Sequence, residues 1–478
     1  MPLSADTLFY LAVTGLSLAG SLYGAAHALL NSQDPRSAAA WVGICLFLPV
    51  AGLLLYLAFG KNRIRTRARR LHTPADPVSQ RERAALESAD AEHLIAPEYR
   101  NLAYLGRATS GNPLLTGNRI EPLLNGDEAY PAMLEAIRGA RRFVHLSSYI
   151  FDAKGVGAEF VDALREARTR GVEVQVILDA FGELYGVPRA GSVLEEAGVE
   201  FLRFLPLRLF PPTLGFNLRN HRKILVVDGE VAFTGGMNIR TKHCSRADGR
   251  LPKVLDVHFR VQGPVVAQID AVFRADWAFS GGAVPDAPLV RPGHAGEAEC
   301  RVIVDGPSED LDKLLWVLVG AISLARRSIK IMTPYFLPPR ELTVALQTVA
   351  LRGVDVTVIL PGTNNFPFMN WAATHALGGL LEAGVRIAFF QGPFVHTKFF
   401  LVDDYYAHAG SSNLDPRSLR LNFEMAVEIY DQEVGQGLAG HFAASLARSR
   451  PYTRADWRRR RLPSRLRDAL FWVLSPYL

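Results

Sequence analysis

"NHRKILVVDG", residues 220–229, reads as a buried β-strand with an unexpected beginning. Ile224, Leu225, Val226 and Val227 are what a core strand wants. His221 and Lys223 ahead of them are not. Two positions apart on an extended chain, they point to one face and set a titratable base beside a fixed positive charge. The same frame returns in "HTKFFLVD", residues 396–403. Both copies read His-x-Lys-x-x-x-x-Asp: His221, Lys223 and Asp228, then His396, Lys398 and Asp403. Each continues to a small-residue turn and an asparagine: Gly235, Gly236 and Asn238 against Gly410, Ser411 and Asn413.

Working outward, more stretches pair up in the same order. "ARRFVHLSSYIF" from Ala140 matches "ARRSIKIMTPYF" from Ala325, and "ARTRGVEVQVILDA" from Ala167 matches "ALRGVDVTVILPG" from Ala350. "LEEAGVEFLRF" from Leu194 matches "LLEAGVRIAFF" from Leu380. Repeats in series point to duplication. Helical patterns at residues 131–138 and 157–170 alternate with β-branched runs such as residues 172–178 and 354–360, and Gly171 and Gly353 sit where a helix C-cap belongs. The expected fold class is α/β: two duplicated units with mixed β-sheets, residues 113–285 and 296–450, related by a pseudo-twofold axis.

At 478 residues the chain exceeds one ordinary core. Cys45, Cys244 and Cys300 are an odd number at no metal-like spacing, so neither a disulfide framework nor a zinc site is expected. The net charge of +6 is concentrated in "KNRIRTRARR", residues 61–70, and "RADWRRRRLPSRLR", residues 454–467. Without them acids outnumber bases, which argues against a nucleic-acid binder of the usual basic kind.

Residues 8–30 and 38–59 are almost wholly apolar or small, each about the ~20 residues that cross a bilayer as a helix. The short polar gap "NSQDPRS" between them predicts a transmembrane hairpin over residues 1–60. The basic run that follows marks a cytoplasmic flank and attracts anionic headgroups. Residues 61–112 read as a juxtamembrane segment and linker, and residues 451–478 as a basic tail that either lies at the interface or packs on the body.

The residue types explain themselves chemically. A neutral imidazole can attack the phosphorus of a phosphodiester, and a second, protonated imidazole can hand a proton to the leaving alkoxide. Lys223 and Lys398 would neutralise the phosphoryl oxygens, with Asn238 and Asn413 as further donors and small Ser411 nearby. No metal or cofactor is called for. Two histidines on one strand cannot straddle a phosphorus, whereas two facing copies can. Asp228 and Asp403 accompany the catalytic candidates in the motif. Seven positions after their histidines, they face away on a continuous strand and read more readily as turn or inter-unit residues.

On both motifs, "SSYIF", "TPYFLP", the apolar N-terminus with "AAWVGICLFLPVAGLLLYLAFG", "GNRIEPLLNGDEAYPAML" and the "LSPYL" ending, the chain resembles the phospholipase D superfamily and, within it, the bacterial cardiolipin synthases. The resemblance implies a membrane-anchored phosphatidyltransferase of the inner membrane with its body on the cytoplasmic side. Its partners would be phosphatidylglycerol, cardiolipin and the bilayer, with no nucleic acid. It also implies Asp256 in "LDVHFRV" and Glu424 in "NFEMAVEI" as carboxylates that orient the histidines, with His221 favoured as nucleophile and His396 as acid/base. A hydrolytic phospholipase D and a synthase using phosphatidylethanolamine as donor share these features; a nuclease of the superfamily shares the motif, but the apolar spans and the acidic body argue against it, and the intact histidines and lysines argue against a catalytically dead scaffold.

Overall fold

The computed structural model describes residues 4–31, 35–57, 91–206, 218–245, 253–283, 289–307 and 311–475. The basic run at 61–70, most of the linker and the last three residues lie outside the described residues. The chain divides into two compact units, Met1–Leu71 and His72–Leu478.

In the first unit, helix α1 (Ala5–Asn31) holds the stretch Phe9–Asn31, long and apolar enough to cross a membrane. The second apolar run corrects the expectation of one continuous helix. It divides into α2 (Pro35–Phe47) and α3 (Pro49–Leu55), because Pro49 lacks an N–H and Leu48 leaves the helical region at φ −127°. The interruption is a reversal: α3 folds back along α2, so that Cys45 Sγ lies 3.8 Å from the Gly52 carbonyl and the Tyr56 ring meets that of Trp41 at 5.5 Å between centres. His27 and Tyr56, otherwise stray polar groups, answer each other at 2.7 Å.

The second unit opens with α4 (Arg100–Ser110). Its first half runs β1 (Leu115–Leu124), α5 (Asn125–Gly139), β2 (Phe143–Ser148), α6 (Val156–Thr169), β3 (Glu173–Asp179), α7 (Ala190–Glu196) and β4 (Glu200–Phe204). It continues through β5 (Ile224–Val227), β6 (Val231–Gly235), β7 (Val254–Leu255), β8 (Val257–Gln262) and α8 (Val266–Phe279). The second half repeats the plan: β9 (Ala298–Asp305), α9 (Lys313–Leu324), β10 (Ser328–Met332), α10 (Arg340–Leu351), β11 (Asp355–Pro361), α11 (Pro367–Glu382) and β12 (Arg386–Phe390). Then come β13 (Phe394–Val395), β14 (Phe399–Val402), β15 (Tyr406–Gly410), β16 (Glu424–Tyr430) and α12 (Gln432–Ala447). β17 (Ser449–Tyr452), α13 (Arg454–Arg458) and α14 (Leu462–Val473) close the chain.

The sheet order displays the duplication. From the centre outward the first half reads β1-β8-β6-β5-β2-β3-β4 and the second β9-β16-β15-β14-β10-β11-β12, with β17 added at the edge. β1 pairs antiparallel with β9, so the pseudo-twofold axis passes between them. Parallel pairs β2–β3–β4 and β10–β11–β12 stand beside antiparallel ones, making each half mixed as expected. Gly171 and Gly353 end α6 and α10 at φ 87° and 90°, a conformation glycine takes without a Cβ penalty.

One core is common to both halves. Val226, Phe399 and Leu401 from the motif strands meet Trp277 of α8 and Phe442 of α12 there. A second core packs α5 and α6 on the first half, and a third packs α4, α9 and α10 on the second. The motif strands β5 and β14 are therefore buried on both sides, as their unbroken apolar runs require.

Candidate active site

The motif histidines and lysines precede their strands rather than lying within them: β5 begins at Ile224 and β14 at Phe399. The reason is pairing. The segment ahead of each motif hydrogen-bonds to the opposite half instead of its own sheet. β13 runs parallel to β7, with Val395 opposite Leu255, and His396 N–H donates to the Leu255 carbonyl at 2.7 Å. On the other side Asn220 bridges Phe423, and His221 N–H donates to the Phe423 carbonyl at 2.9 Å.

Register then decides the side-chain partners. The residue after Leu255 is Asp256, and the residue after Phe423 is Glu424. His396 Nδ1 lies 2.7 Å from Asp256 Oδ2, and His221 Nδ1 lies 3.0 and 3.2 Å from the two oxygens of Glu424. Each half thus supplies the carboxylate for the other half's histidine. Both carboxylates are buried, at 2% and 0% exposure, so they act on the imidazoles without solvent screening. Such a carboxylate fixes the ring's tautomer and leaves Nε2 for chemistry.

Both lysines fold back onto their own motif. Lys223 Nζ donates to the His221 carbonyl at 2.5 Å and Lys398 Nζ to that of His396 at 2.6 Å, the latter also 3.1 Å from His396 Nε2. Burial depresses Lys223 to about 7, against the pull of Glu424, and Lys398 to about 8, against Asp256. Burial also lowers both histidines. Glu424 opposes the shift at His221, whereas Lys398, Lys223 and His221 deepen it at His396. The two imidazoles and two ammonium groups therefore sense one another within a single cluster.

The carboxylates differ. Burial alone would raise Glu424, but His221, Lys223 and the Ser411 hydroxyl bring it below the ordinary range. Burial raises Asp256, against Lys398, His243 and His258.

The remaining predicted residues separate. Ser411, expected at the phosphate, donates its hydroxyl to Glu424 Oε2 at 2.5 Å and accepts from Met425 N–H at 3.1 Å, which makes it a support for the carboxylate. Asn238 Oδ1 accepts from Ile150 N–H at 3.1 Å. Asn413 is buried, and its Oδ1 has no partner among the described residues. Asp228 and Asp403 hold turns instead of joining the cluster, a correction to their place among the catalytic candidates. Both take positive φ, 56° and 53°, in the β5–β6 and β14–β15 turns. Asp228 accepts from the backbone N–H groups of Arg141, Arg142 and Phe143, and Asp403 from those of Arg326, Arg327 and Ser328. Each carboxylate thereby caps the start of the neighbouring strand, β2 or β10, which runs antiparallel to the motif strand.

Sequence reasoning missed several supports. Asp179, at the end of β3, accepts from the N–H groups of Phe181, Gly182 and Asn220, pinning the residue before His221. Tyr149 lies edge-on to His221, ring centres 5.2 Å apart, with Lys223 Nζ 5.5 Å from its centre. Arg222, pointing away from its motif neighbours, pairs with buried Asp276 and donates to the Glu424 carbonyl at 3.1 Å. His243 sits 6.3 Å from the His396 ring, and burial, opposed by Asp256, pushes it down to about 3. "SSYIF" marked Tyr149; nothing local marked the rest.

Comparison with known proteins bears on the family and the fold. Residues 133–277 and 318–446 match the family described as cardiolipin synthase, PLD-like domain, and residues 20–61 match a phospholipase D-nuclease N-terminal family. The major cardiolipin synthase of Bacillus subtilis is 31% identical over 93% of this chain and 94% of its own length. Cardiolipin synthase A of Serratia proteamaculans is 31% identical over 98% and 97%. The crystal structure of phosphatidylserine synthase from Haemophilus influenzae covers 79% of this chain and all of its own with a TM-score of 0.59; at 17% identity it shows the likeness of fold.

Proposed function

This chain belongs to the cardiolipin synthase family of PLD-like phosphatidyltransferases, and from that premise we propose a two-histidine transfer carried out between its halves. Nε2 of one histidine attacks the phosphorus of a phosphatidylglycerol. The bond to the headgroup glycerol breaks, the other histidine protonates the departing alkoxide, and a phosphatidyl-histidine remains. That second histidine, now a base, takes the proton from the terminal hydroxyl of another phosphatidylglycerol, which displaces the histidine and leaves as cardiolipin. The family resemblance favours His221 as nucleophile and His396 as acid/base.

The carrying observation is the crossed pairing of His221 with Glu424 and His396 with Asp256. Both imidazoles are held at Nδ1, which directs Nε2 of each to the reaction. Without an anion, burial and the lysine charges favour the neutral form of both rings. A phosphodiester between Lys223 and Lys398 offsets those charges and allows one ring to carry the proton the leaving group needs.

Residues 113–285 and 296–450 are the two catalytic halves in this reading. The apolar N-terminus agrees with membrane association. In the finer topology, α1 crosses the bilayer, α2 and α3 fold back on one another beside it, and the basic run 61–70 keeps the body cytoplasmic.

Purified protein given phosphatidylglycerol alone tests the reaction. Cardiolipin with an equal amount of glycerol is expected. Phosphatidic acid in its place would show capture by water and overturn transfer; product only on adding phosphatidylethanolamine would change the donor.

A further inference from the structure

Helix α14 is docked by one face and bare on the other. Phe471 packs against Trp371 of α11, ring centres 5.0 Å apart, and Trp472 against His375 at 4.9 Å. Asp468, 1% exposed, binds Arg460 and Arg467 beneath the helix. On the opposite side Leu462, Leu466, Leu470 and Val473 are 64%, 63%, 60% and 63% exposed. Their spacing of four, four and three residues lines them along one face. Four large apolar side chains in one exposed row are more than scattered surface residues, and the docked face already supplies the helix with its packing.

Charge indicates what covers the row. Arg459, Arg461 and Arg465 are exposed around it, whereas Asp456 and Asp468, the acids of this segment, are engaged in a helix cap and in the arginine pairs beneath the helix. An apolar stripe bordered by arginines fits the surface of an anionic bilayer, with the leucines at the acyl boundary and the guanidinium groups at lipid phosphates.

The helix is also joined to the catalytic cluster. Ring contacts run from His396 to Phe394 at 6.0 Å, Phe394 to Tyr335 at 6.3 Å and Tyr335 to Phe366 at 6.2 Å. They continue from Phe366 to Phe368 at 5.5 Å and Phe368 to Phe471 of α14 at 6.4 Å. Phe366, midway, is 42% exposed. This is a continuous apolar edge between the outer helix and the His396 side of the cluster.

We propose that α14 is an interfacial docking element that seats the body on an anionic phospholipid bilayer and sets the His396 side of the cluster at the lipid surface, with the aromatic edge as the apolar path between them. Only the activity arm of its test rests on the transfer reading; a physical arm stands without it.

In the physical arm, full-length protein carrying Cys244→Ser and Leu466→Cys is labelled with bimane and reconstituted into vesicles of phosphatidylglycerol and phosphatidylcholine. Nitroxide-bearing lipids are expected to quench the label by about twofold or more, and less in vesicles of phosphatidylcholine alone. Unchanged fluorescence would overturn docking whatever the enzyme catalyses. In the activity arm, Leu466→Glu with Leu470→Glu is expected to lower turnover of bilayer phosphatidylglycerol about five- to tenfold while leaving dispersed short-chain phosphatidylglycerol within about twofold. Equal losses on both substrate forms would assign the helix to packing alone and overturn the proposal, as would no loss on bilayers.

Discussion

The surroundings of His221 and His396 are copies that have diverged. Glu424, behind His221, is held by the Ser411 hydroxyl and by Asn422 Nδ2 at 3.0 Å, so both its oxygens are occupied and it stays ionised. Asp256, behind His396, has Gly236 where the other copy has Ser411, and its neighbours include His243 and His258. A Cβ at Gly236 would lie 2.7 Å from Asp256 Oδ1 and 3.0 Å from Lys398 Nζ, so there is no room for the missing hydroxyl. One copy thus presents a fixed anion to its imidazole; the other presents a carboxyl whose proton affinity burial has raised. In the proposed reaction, where one histidine holds phosphorus and its mate moves a proton twice, that difference gives His221 a more rigid partner and His396 a more readily protonated one.

The largest test removes the imidazoles. His221→Ala and His396→Ala are each expected to lower turnover by about 10⁴-fold or more, and the double variant by little further, because the pair acts as one unit. Appreciable activity in either single variant, with circular dichroism unchanged, would break the two-histidine reading.

The carboxylates divide the halves next. Glu424→Gln is expected to cost about 10²- to 10⁴-fold in kcat through loss of tautomer control. Asp256→Asn should cost less at its optimum but move the pH profile, because the group it removes lies beside the proton carrier. Pre-steady-state traces over a pH series separate the two; equal losses with coincident profiles would erase the asymmetry.

Exchanging the supports is gentler. Gly236→Ser should reduce turnover about tenfold by displacing Asp256 and Lys398. Ser411→Gly should lower it by a similar or smaller factor, and the combined exchange should not restore it. Recovery in the double variant would mean that the copies are interchangeable.

The motif aspartates should affect stability rather than chemistry. Asp228→Asn and Asp403→Asn are expected to keep kcat within about threefold while costing about 1–3 kcal/mol each, since three backbone donors at a strand start lose a charged acceptor. Asp403 should cost more, because it also accepts from the Tyr99 hydroxyl at 3.2 Å. Denaturant unfolding reads this difference directly.

The smallest expected shift is in stability and concerns Lys223. Its ordinary value is 10.5 and the folded site lowers it to about 7, so the unfolded chain holds the proton over a range in which the folded chain releases it. The cost of burying the charge is therefore full below pH 7 and is relieved as pH rises. Lys223→Met should abolish turnover yet raise Tm by ~2–4 °C at pH 6, with the gain shrinking toward pH 9. A gain that grows with pH would reverse the sign of the coupling.

Periodicity and repetition alone determined the duplication, the α/β class, the paired His-Lys frames and the apolar N-terminus. These are local patterns, and their signal survives in a linear chain because neighbouring residues share an element. The partner of each histidine was decided elsewhere. It depends on β7 lying beside β13 and on Asn220 meeting Phe423, contacts between segments far apart in sequence that only the twofold arrangement creates. Asp228 and Asp403 entered the catalytic list through their motif while their odd spacing pointed to turns; the positive φ and the three backbone donors that claim each of them come from the fold. The second apolar run looked continuous because hydropathy weighs side chains, whereas the backbone reverses at Leu48 and Pro49 and lays Tyr56 against Trp41. Composition left the C-terminal tail between packing on the body and lying at a membrane. Packing settled the first through Asp468 and Phe471, and by turning those inward it left a row of leucines facing out.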